Sequence, residues 1–270
     1  MPEVSVIIPA YNAAPTIGAA LESVFTQTFD DLEVIVVDDG SADDLERAVA
    51  PWRSRITLLR QPNRGPGAAR NTGLARASGR LIAFLDADDE WLPEKLARQV
   101  TYFARHPETG LLHTGVQGDR WDGRAPEPPR FAFCELFHTD FFIRTLTAMV
   151  PRRVLEDVGG FDERREVHVE DWELWLRIAA RYPVGYIPEP LAVRRPGGLM
   201  SRQIDRTYEA QAFVAEQARA LCAQTCPRHR ADPAGCLQAR RLVLLRDWAA
   251  DRLVLGDARG ARARLRRALA

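Results

Sequence analysis

Three carboxylates within four residues stand at the end of an apolar segment. Leu81-Ile82-Ala83-Phe84-Leu85 has the composition of a buried strand, and it ends in Asp86-Ala87-Asp88-Asp89. Carboxylates beside a low-dielectric core need partners that offset the loss of their hydration. A divalent cation shared with phosphate oxygens is one such partner, because hard cations bind carboxylate oxygens and keep positions open for a substrate. The alternative is an acidic turn in which Asp88 or Asp89 caps a following helix.

Two more polar segments follow predicted strands. The strand Val4–Pro9 leads into Ala10-Tyr11-Asn12, and the strand Leu32–Val37 leads into Asp38-Asp39-Gly40-Ser41. Helices of about ten residues separate the strands, which predicts a mostly parallel α/β sheet with right-handed crossovers. Ligands bind outside the carboxyl ends of such strands. The pattern therefore predicts one binding crevice rather than three unrelated acidic turns.

The residue types in this crevice suit a nucleotide. Asp39 can accept a hydrogen bond from the N–H of a pyrimidine base, and Tyr11 can pack against that base. Arg70, in the helix entered through Gly65-Pro66-Gly67, can pair with phosphate or with the acids around Asp88. A structural ion pair is the alternative for Arg70. The glycines do not form a dinucleotide fingerprint, because the first strand-to-helix turn has no glycine-rich loop.

Composition narrows the class of protein. The 270 residues carry no net charge, which gives no reason to expect a nucleic-acid partner. No apolar stretch approaches the ~20 residues that span a bilayer. Met1-Pro2-Glu3 runs directly into a strand without the features of a signal peptide, so we expect a cytoplasmic protein.

Three of the four cysteines lie close together in the sequence. Cys222, Cys226 and Cys236, with His229 between them, suggest a zinc site. Their spacing does not match the common paired-cysteine pattern, however, and the segment reads as helix, loop and helix. Buried or half-buried thiols are therefore the favoured interpretation, and the sequence assigns them no function.

Taken together, the motifs resemble those of the family 2 glycosyltransferases. The resemblance rests on Val4–Asn12, Val36–Ser41, Gly67-Ala68-Ala69-Arg70-Asn71 and the Asp86 cluster, and it covers roughly residues 1 to 200. Several motifs in order are much more specific than any one alone. The resemblance implies the GT-A fold, with its Rossmann-like, mostly parallel sheet and flanking helices, and transfer with inversion.

The resemblance also implies roles for individual residues on the donor side. Asp39 would contact the uracil or thymine of a nucleotide-sugar, and Pro9 and Tyr11 would line the base pocket. Asp86-Ala87-Asp88 fits the family's Asp-x-Asp motif, in which Asp88 would bind Mn²⁺ or Mg²⁺ bridging the diphosphate. Arg70 would support that site, and Asp89 is left as a helix cap or an outer residue.

The second half of the chain offers a catalytic base. Gly159-Gly160-Phe161-Asp162, followed by His168-Val169-Glu170-Asp171-Trp172, resembles the family's acceptor-side segment, where a Glu-Asp pair opens a helix. Inverting transfer to a hydroxyl needs a carboxylate base opposite the leaving diphosphate. Asp171 is then the base, and Glu170 is either a positioning residue or the second candidate for the base. The alternative is that both acids only complement the helix dipole.

Two features depart from the family pattern. The segment from Arg194 to Ser201 resembles a family loop that often carries a histidine, but it has none, so Arg194, Arg195 or Ser201 would substitute. The chain also lacks the Gln-x-x-Arg-Trp pattern of processive synthases, which favours transfer of a single sugar.

The expected organisation has three parts. Residues 1–110 form the nucleotide-sugar-binding half of the GT-A domain, residues 111–204 the acceptor-binding half, and residues 205–270 a C-terminal helical extension. The last helix carries Arg259, Arg262, Arg264, Arg266 and Arg267. Its basic face is either solvated, with the helix packed against Trp248 and Leu253, or it forms a peripheral contact with anionic lipid.

The predicted function is metal-dependent transfer of a sugar from a UDP- or dTDP-sugar to a hydroxyl of a glycan or lipid-linked acceptor, in the synthesis of a surface or secreted glycan. Two alternatives stay open. One is a transferase for polyprenyl phosphate, whose acceptor is already ionised. The other is a non-catalytic protein that binds nucleotide-sugars.

Overall fold

The computed structural model describes residues 1–117, 130–138, 143–164, 167–195, 204–254 and 256–269. These residues form two compact units that are not consecutive in the chain. The first unit contains the described residues of 1–131, 143–163 and 181–195, and the second contains the rest. The boundaries predicted at residues 110 and 204 separate parts with different functions, and they stay predictions.

The first unit contains the whole β-sheet of the described residues. Its eight strands are β1 (Val4–Ala10), β2 (Leu32–Asp38), β3 (Ile56–Arg60), β4 (Leu81–Phe84), β5 (Glu90–Trp91), β6 (Leu111–Gln117), β7 (Met149–Pro151) and β8 (Val184–Val193). Their order in the sheet is β3-β2-β1-β4-β7-β6-β8-β5. The strands β1, β2 and β4 are nearly all buried because their apolar residues point to both faces of a sheet that helices cover.

The twelve helices of the described residues are α1 (Ile17–Phe25), α2 (Leu45–Val49), α3 (Pro66–Arg76), α4 (Lys95–Arg105), α5 (Phe133–His138), α6 (Arg152–Val158), α7 (Glu170–Ala179), α8 (Ile204–Gln217), α9 (Arg219–Thr225), α10 (Pro227–Ala231), α11 (Pro233–Val254) and α12 (Ala258–Leu269). Helices α1–α4 and α6 belong to the first unit, and the others belong to the second. None of these helices has a stretch long and apolar enough to span a bilayer.

The sheet has two halves of different topology. Strands β3, β2, β1 and β4 are mutually parallel, as the alternation of strands and helices predicts. Beyond β4 the sheet is mixed, since β7 is antiparallel to both of its neighbours while β6 and β8 are parallel. The short strand β5 follows the Asp86 cluster and pairs with the end of β8, Glu90 opposite Val193.

Several predicted boundaries were wrong by a few residues. The residue pattern predicts a helix over 93–105, which begins at Lys95 in the structure, and another over 135–142, where the structure has α5 (Phe133–His138) and residues 139–142 lie outside the described residues. It also predicts a strand over 146–150, but residues 145–147 form a 3-10 turn and β7 covers only Met149–Pro151. Strand β5 was not anticipated, because two residues are too short to show a period.

The C-terminal extension is helical, as predicted. Helices α11 and α12 meet at a turn where Gly256 has φ of +79°, a conformation that glycine adopts without strain. The side chain of Trp248 is buried, and the guanidinium of Arg264 lies 4.4 Å from its ring centroid. Arg259, Arg262 and Arg266 are exposed. One arginine of the basic helix therefore packs on Trp248, and Leu253 is 54% exposed.

Candidate active site

Three polar loops gather at one edge of the sheet, as the sequence predicts. Strand β1 lies between β2 and β4 and is parallel to both, with Ala10 opposite Asp38 and Ile7 opposite Phe84. The carboxyl ends of the three strands are therefore neighbours. The loops that follow them carry the predicted donor-side residues, so the first unit places these residues along one edge.

Hydrogen bonds brace the loops after β1 and β2 against each other. Asn12 accepts the backbone N–H of Ala42 with its Oδ1 (2.8 Å), and its own N–H donates to Ser41 Oγ (3.0 Å). Asp38 Oδ1 in turn accepts the N–H of Ser41 (2.8 Å). Asn12 has φ of +50°, a conformation that asparagine tolerates better than most residues. The Asp-Asp-Gly-Ser motif thus uses its first acid and its serine to fix the loop geometry.

Pro9 and Tyr11 border this braced region. Pro9 is half-buried at the end of β1, and Tyr11 is 49% exposed in the loop that follows. An exposed aromatic ring on a fixed loop is available for stacking against a planar ligand. Their role in a base pocket stays a prediction.

Asp39 is buried and anchors the loop that leads into α3. Its Oδ1 accepts hydrogen bonds from the N–H of Arg64 (2.9 Å) and from Gln61 Nε2 (2.7 Å), and its Oδ2 accepts the N–H of Gly65 (2.8 Å). Gly65, whose φ is +93°, turns the chain into the helix. A carboxylate has about four acceptor positions, so these bonds leave one for a ligand. The contact of Asp39 with a nucleobase stays a prediction.

Arg70 pairs with the first acid of the Asp-x-Asp motif. Its Nη2 donates to Asp86 Oδ1 at 2.7 Å, and its side chain is only 5% exposed. The guanidinium also lies 5.3 Å from the centroid of the Phe161 ring. The sequence predicts that Arg70 pairs either with phosphate or with nearby acids. The structure pairs it with an acid, Asp86. Arg70 therefore fixes the orientation of the Asp86 carboxylate.

The three carboxylates of the cluster repel one another. Burial, together with the charge of Asp86, raises the pKa of Asp88. The same two causes, with a contribution from Asp88, raise the pKa of Asp89 to about 7. The positive charge of Arg194 acts in the opposite direction on both acids. The metal-free cluster is therefore electrostatically unfavourable, and a bound cation would relieve it.

Asp89 is not a helix cap. Its Oδ1 accepts the backbone N–H of Arg195 (3.0 Å), just beyond β8, while α4 begins six residues later. The Arg195 side chain binds Glu90 through Nε at 2.6 Å. Together with the β5–β8 pairing, these contacts hold the acidic turn against the end of β8. Of the proposed substitutes for the missing histidine, Arg194 and Arg195 lie at this turn, and Ser201 lies outside the described residues.

The donor set fits a hard divalent cation. Asp86 and Asp88 supply carboxylate oxygens from one tight turn, and both side chains are half-exposed, so solvent and substrate oxygens can complete the coordination. Ala87 between them is buried, which directs the two flanking acids to the open side of the turn. Mn²⁺ and Mg²⁺ both prefer such oxygen ligands.

The segment Gly159–Asp162 is held by Asn71, a residue to which the sequence motifs assign no role. Asn71 donates from Nδ2 to the Phe161 carbonyl and accepts the Phe161 N–H at Oδ1, both at 2.8 Å. Its Nδ2 also donates to Glu163 (2.8 Å), which in addition pairs with Arg64. The Gly-Ala-Ala-Arg-Asn motif therefore uses Arg70 for the acidic turn and Asn71 for this segment.

Glu170 and Asp171 belong to the second unit. They begin α7, where Glu170 is 8% exposed and Asp171 is half-buried. Asp171 Oδ1 accepts the N–H of Trp172 (2.8 Å), so the carboxylate faces the positive end of the helix. Trp172 and Trp175 are fully buried, so they are core residues rather than an exposed stacking surface. The catalytic role of Asp171 and the positioning role of Glu170 stay predictions.

Comparisons with known proteins identify the fold and the family. The fold, with polar loops at the carboxyl ends of β1, β2 and β4, is that of the GT-A class of glycosyltransferases. Residues 5–159 match the family described as "Glycosyl transferase family 2", and the chain belongs to this family.

Two curated relatives and one solved structure give the range of similarity. The β-1,3-glucosyltransferase WfgD of Escherichia coli, named for UDP-Glc and α-D-GlcNAc-diphosphoundecaprenol, is 35% identical over 65% of this chain and 69% of its own length. The succinoglycan biosynthesis protein ExoW of Rhizobium meliloti is 48% identical over 36% of this chain. The mannosyltransferase PcManGT of Pyrobaculum calidifontis, solved with GDP-Man and Mn²⁺, is 25% identical with a TM-score of 0.66, covering 99% of this chain and 87% of its own.

Some of the curated relatives are longer proteins. The chain spans about a third of their length, 32% of ExoW and 36% of an uncharacterized glycosyltransferase of Nostoc. The resemblance to family 2 that the sequence motifs indicate is confirmed, and the GT-A fold is confirmed with it.

Proposed function

We propose that this chain transfers one sugar, with inversion, from a UDP- or dTDP-sugar to a hydroxyl group of a glycan or lipid-linked acceptor, and that the reaction depends on Mn²⁺ or Mg²⁺. The observation that carries the proposal is the turn in which Arg70 holds Asp86 beside Asp88 at the end of β4. WfgD, whose name includes a UDP-sugar and a diphosphoundecaprenol acceptor, and ExoW, named for succinoglycan biosynthesis, support the donor and acceptor classes.

On the donor side each residue has a distinct task. Tyr11 stacks on the base, Pro9 lines the same pocket, and Asp39 accepts the base N–H at its remaining acceptor position. Asp88, assisted by Asp86, holds the cation. When bound, that cation supplies positive charge that stabilises the departing diphosphate. Arg194 supplies further positive charge in place of the missing histidine.

On the acceptor side Asp171 acts as the base, and Glu170 positions it. Asp171 takes the proton of the acceptor hydroxyl as the oxygen bonds to the anomeric carbon of the donor sugar. The bond from that carbon to the diphosphate oxygen breaks, and the nucleoside diphosphate leaves with the electron pair. Attack on the face opposite the leaving group inverts the anomeric configuration.

We place the reaction at the cytoplasmic face of a membrane, where lipid-linked acceptors are available. The exposed arginines of α12, Arg259, Arg262 and Arg266, would bind anionic headgroups through that helix. Co-sedimentation with vesicles that contain anionic lipid tests this contact. Replacement of the three arginines by glutamine should release the protein, and unchanged binding would contradict it.

The test of the catalytic assignment begins with a screen of UDP-, dTDP- and GDP-sugars with Mn²⁺ and with Mg²⁺. On the active donor, Asp171→Asn should lower transfer by about 10²–10⁴-fold without changing nucleotide affinity, because only the base is lost. Glu173→Gln is the matched control, since Glu173 lies in the same turn but pairs with Arg177 one turn further along the helix. Substantial transfer by Asp171→Asn would contradict the role of the base and favour an ionised acceptor such as polyprenyl phosphate.

A further inference from the structure

Three cysteines and a histidine converge in the second unit. His138 ends α5, Cys222 lies in α9, Cys226 follows that helix, and Cys236 lies in the first turn of α11. The Sγ atoms of Cys222 and Cys236 are 3.6 Å apart. His138 Nε2 lies 3.1 Å from Cys236 Sγ and 3.7 Å from Cys226 Sγ. One ligand atom from each residue lies within 4.8 Å of every other.

These separations match the edges of a tetrahedron around one zinc ion. Zinc binds thiolate sulfur at about 2.3 Å and imidazole nitrogen at about 2.0 Å, so ligand atoms at tetrahedral angles stand ~3.8 Å (S–S) and ~3.5 Å (N–S) apart. The observed values scatter around these edges. The small extent of the group leaves space for a single ion rather than for an iron–sulfur cluster.

The surroundings suit a structural ion. All four side chains are buried, and the Phe137 ring meets the His138 ring edge-on at 4.9 Å. The backbone carbonyl of Leu136, two residues before His138 in α5, accepts the indole N–H of buried Trp172 at 2.9 Å. This hydrogen bond fixes the end of α5. Soft sulfur ligands with one imidazole select zinc over the Mn²⁺ or Mg²⁺ that oxygen ligands prefer.

We propose that this second unit contains one Zn²⁺ ion, coordinated by His138, Cys222, Cys226 and Cys236. Four protein ligands leave no open position, so the site is structural. Binding releases the three thiol protons to solvent and gives the centre a net charge of −1. Buried Arg240, one helical turn beyond Cys236 in α11, supplies a positive charge on the same face of that helix.

The histidine comes from a part of the chain that sequence spacing does not suggest. His229 lies between the cysteines in the sequence, yet it is His138, in α5, whose Nε2 meets the sulfur atoms. The ion would therefore fasten α5 to α9 and α11, which lie about 80 or more residues further along the chain. A Cys222–Cys236 disulfide is the competing use of the same thiols, and it needs the sulfur atoms to approach to about 2.05 Å.

The test is metal analysis of the full chain, purified under reducing conditions without an immobilised-metal column. We expect about one zinc ion per chain by mass spectrometry of the metal content. After exchange for Co²⁺, the protein should show thiolate-to-cobalt charge transfer and the intense visible bands of a tetrahedral ion. Zinc-free protein, a Cys222–Cys236 disulfide in place of the metal, or a cobalt spectrum without charge transfer would overturn the proposal.

Matched variants identify the ligands. Cys222→Ser and His138→Gln should lower zinc affinity by more than about 100-fold, beyond the effect of a change outside the coordination sphere. Cys134→Ser, at a half-buried cysteine outside the cluster, and His229→Gln should keep the metal. Loss of zinc from His229→Gln but not from His138→Gln would contradict the ligand set. The cobalt spectrum of the unaltered chain decides the question even if a ligand variant does not fold, and none of these readouts depends on nucleotide binding.

Discussion

Buried Arg70 donates a hydrogen bond to half-exposed Asp86 across 2.7 Å, and this ion pair links α3 to the acidic turn after β4. The pair leaves Asp88 as the less constrained carboxylate of the motif. It also gives the Arg70 side chain a positioning role, since the guanidinium holds one acid in place while it lies 5.3 Å from the centroid of the Phe161 ring.

Arg70→Lys tests this positioning role. Lysine keeps the charge but lacks the planar fork, so we expect nucleotide affinity in Mn²⁺ to fall by about 10-fold while affinity in EDTA changes little. Calorimetric titration with UDP measures both values. Arg76→Lys, on the exposed end of the same helix, is the control and should match the unaltered protein. Equal losses with and without metal would show a general structural defect instead.

The negative charge of Asp89 should be dispensable for stability and for metal-dependent nucleotide binding. In Asp89→Asn the amide oxygen can still accept the Arg195 N–H, and the substitution removes a carboxylate whose pKa burial and neighbouring acids have raised to about 7. We expect unchanged or slightly higher thermal stability near pH 8, with metal-dependent nucleotide binding within a few-fold of the unaltered protein. Loss of metal dependence in this variant would place Asp89 among the cation ligands.

Gly160 and Asn71 should behave as a coupled pair. A Cβ on Gly160 would overlap with Asn71 Oδ1, so Gly160→Ala should cost about 1–3 kcal/mol in the free energy of unfolding. Asn71→Ala should also destabilise, because it removes the hydrogen bonds to Phe161. The double variant should lose less than the sum, since Asn71→Ala removes the overlap. Denaturant titration of all four proteins measures the coupling, and strict additivity would refute it.

His113 should make the fold sensitive to acid. The side chain is buried in β6 and stacked on Tyr186 at 4.4 Å, and burial lowers its pKa to about 3 from an ordinary 6.5. Between these values the unfolded chain takes up a proton that the folded chain excludes. Stability from this group is therefore complete above pH 6.5 and falls by up to about 1.4 kcal/mol per pH unit below it.

The comparison with His113→Phe isolates this contribution. Phenylalanine retains the stacked ring but cannot titrate, so its unfolding free energy should decline less steeply between pH 6 and pH 4. Chemical denaturation at a series of pH values gives the two slopes. Identical slopes would show that His113 is protonated in the folded protein as readily as in the unfolded one.

The parallel half of the fold was predictable because its strands are apolar on both faces and end in polar loops. Adjacent placement of Tyr11, Asp39 and Asp86 follows from that topology alone. The mixed half of the sheet was harder to predict from the sequence. The pairing of β5 with β8 joins segments about a hundred residues apart, and it leaves no periodic pattern of apolar residues in either segment's neighbourhood.

Tertiary contacts also give some residues an environment that the sequence does not suggest. Lys95, the sole lysine of the sequence, would be expected at the surface of α4. It is instead fully buried, donating to Gln99 Oε1 at 2.7 Å with its Nζ 4.1 Å from the Trp91 ring centroid, and burial lowers its pKa. The cysteines likewise have no predicted function, because their spacing does not match a common zinc motif, and the histidine that lies beside them comes from the distant helix α5.

The most direct test of the account is the metal dependence of nucleotide binding by the unaltered chain and by Asp88→Asn. We predict that UDP or dTDP binds at least about 10-fold more tightly in Mn²⁺ than in EDTA, that Asp88→Asn removes this difference, and that Glu94→Gln, at an exposed acid paired with Arg98, preserves it. Equal affinity for UDP, dTDP and GDP with and without divalent cation, or full metal dependence in Asp88→Asn, would contradict the account.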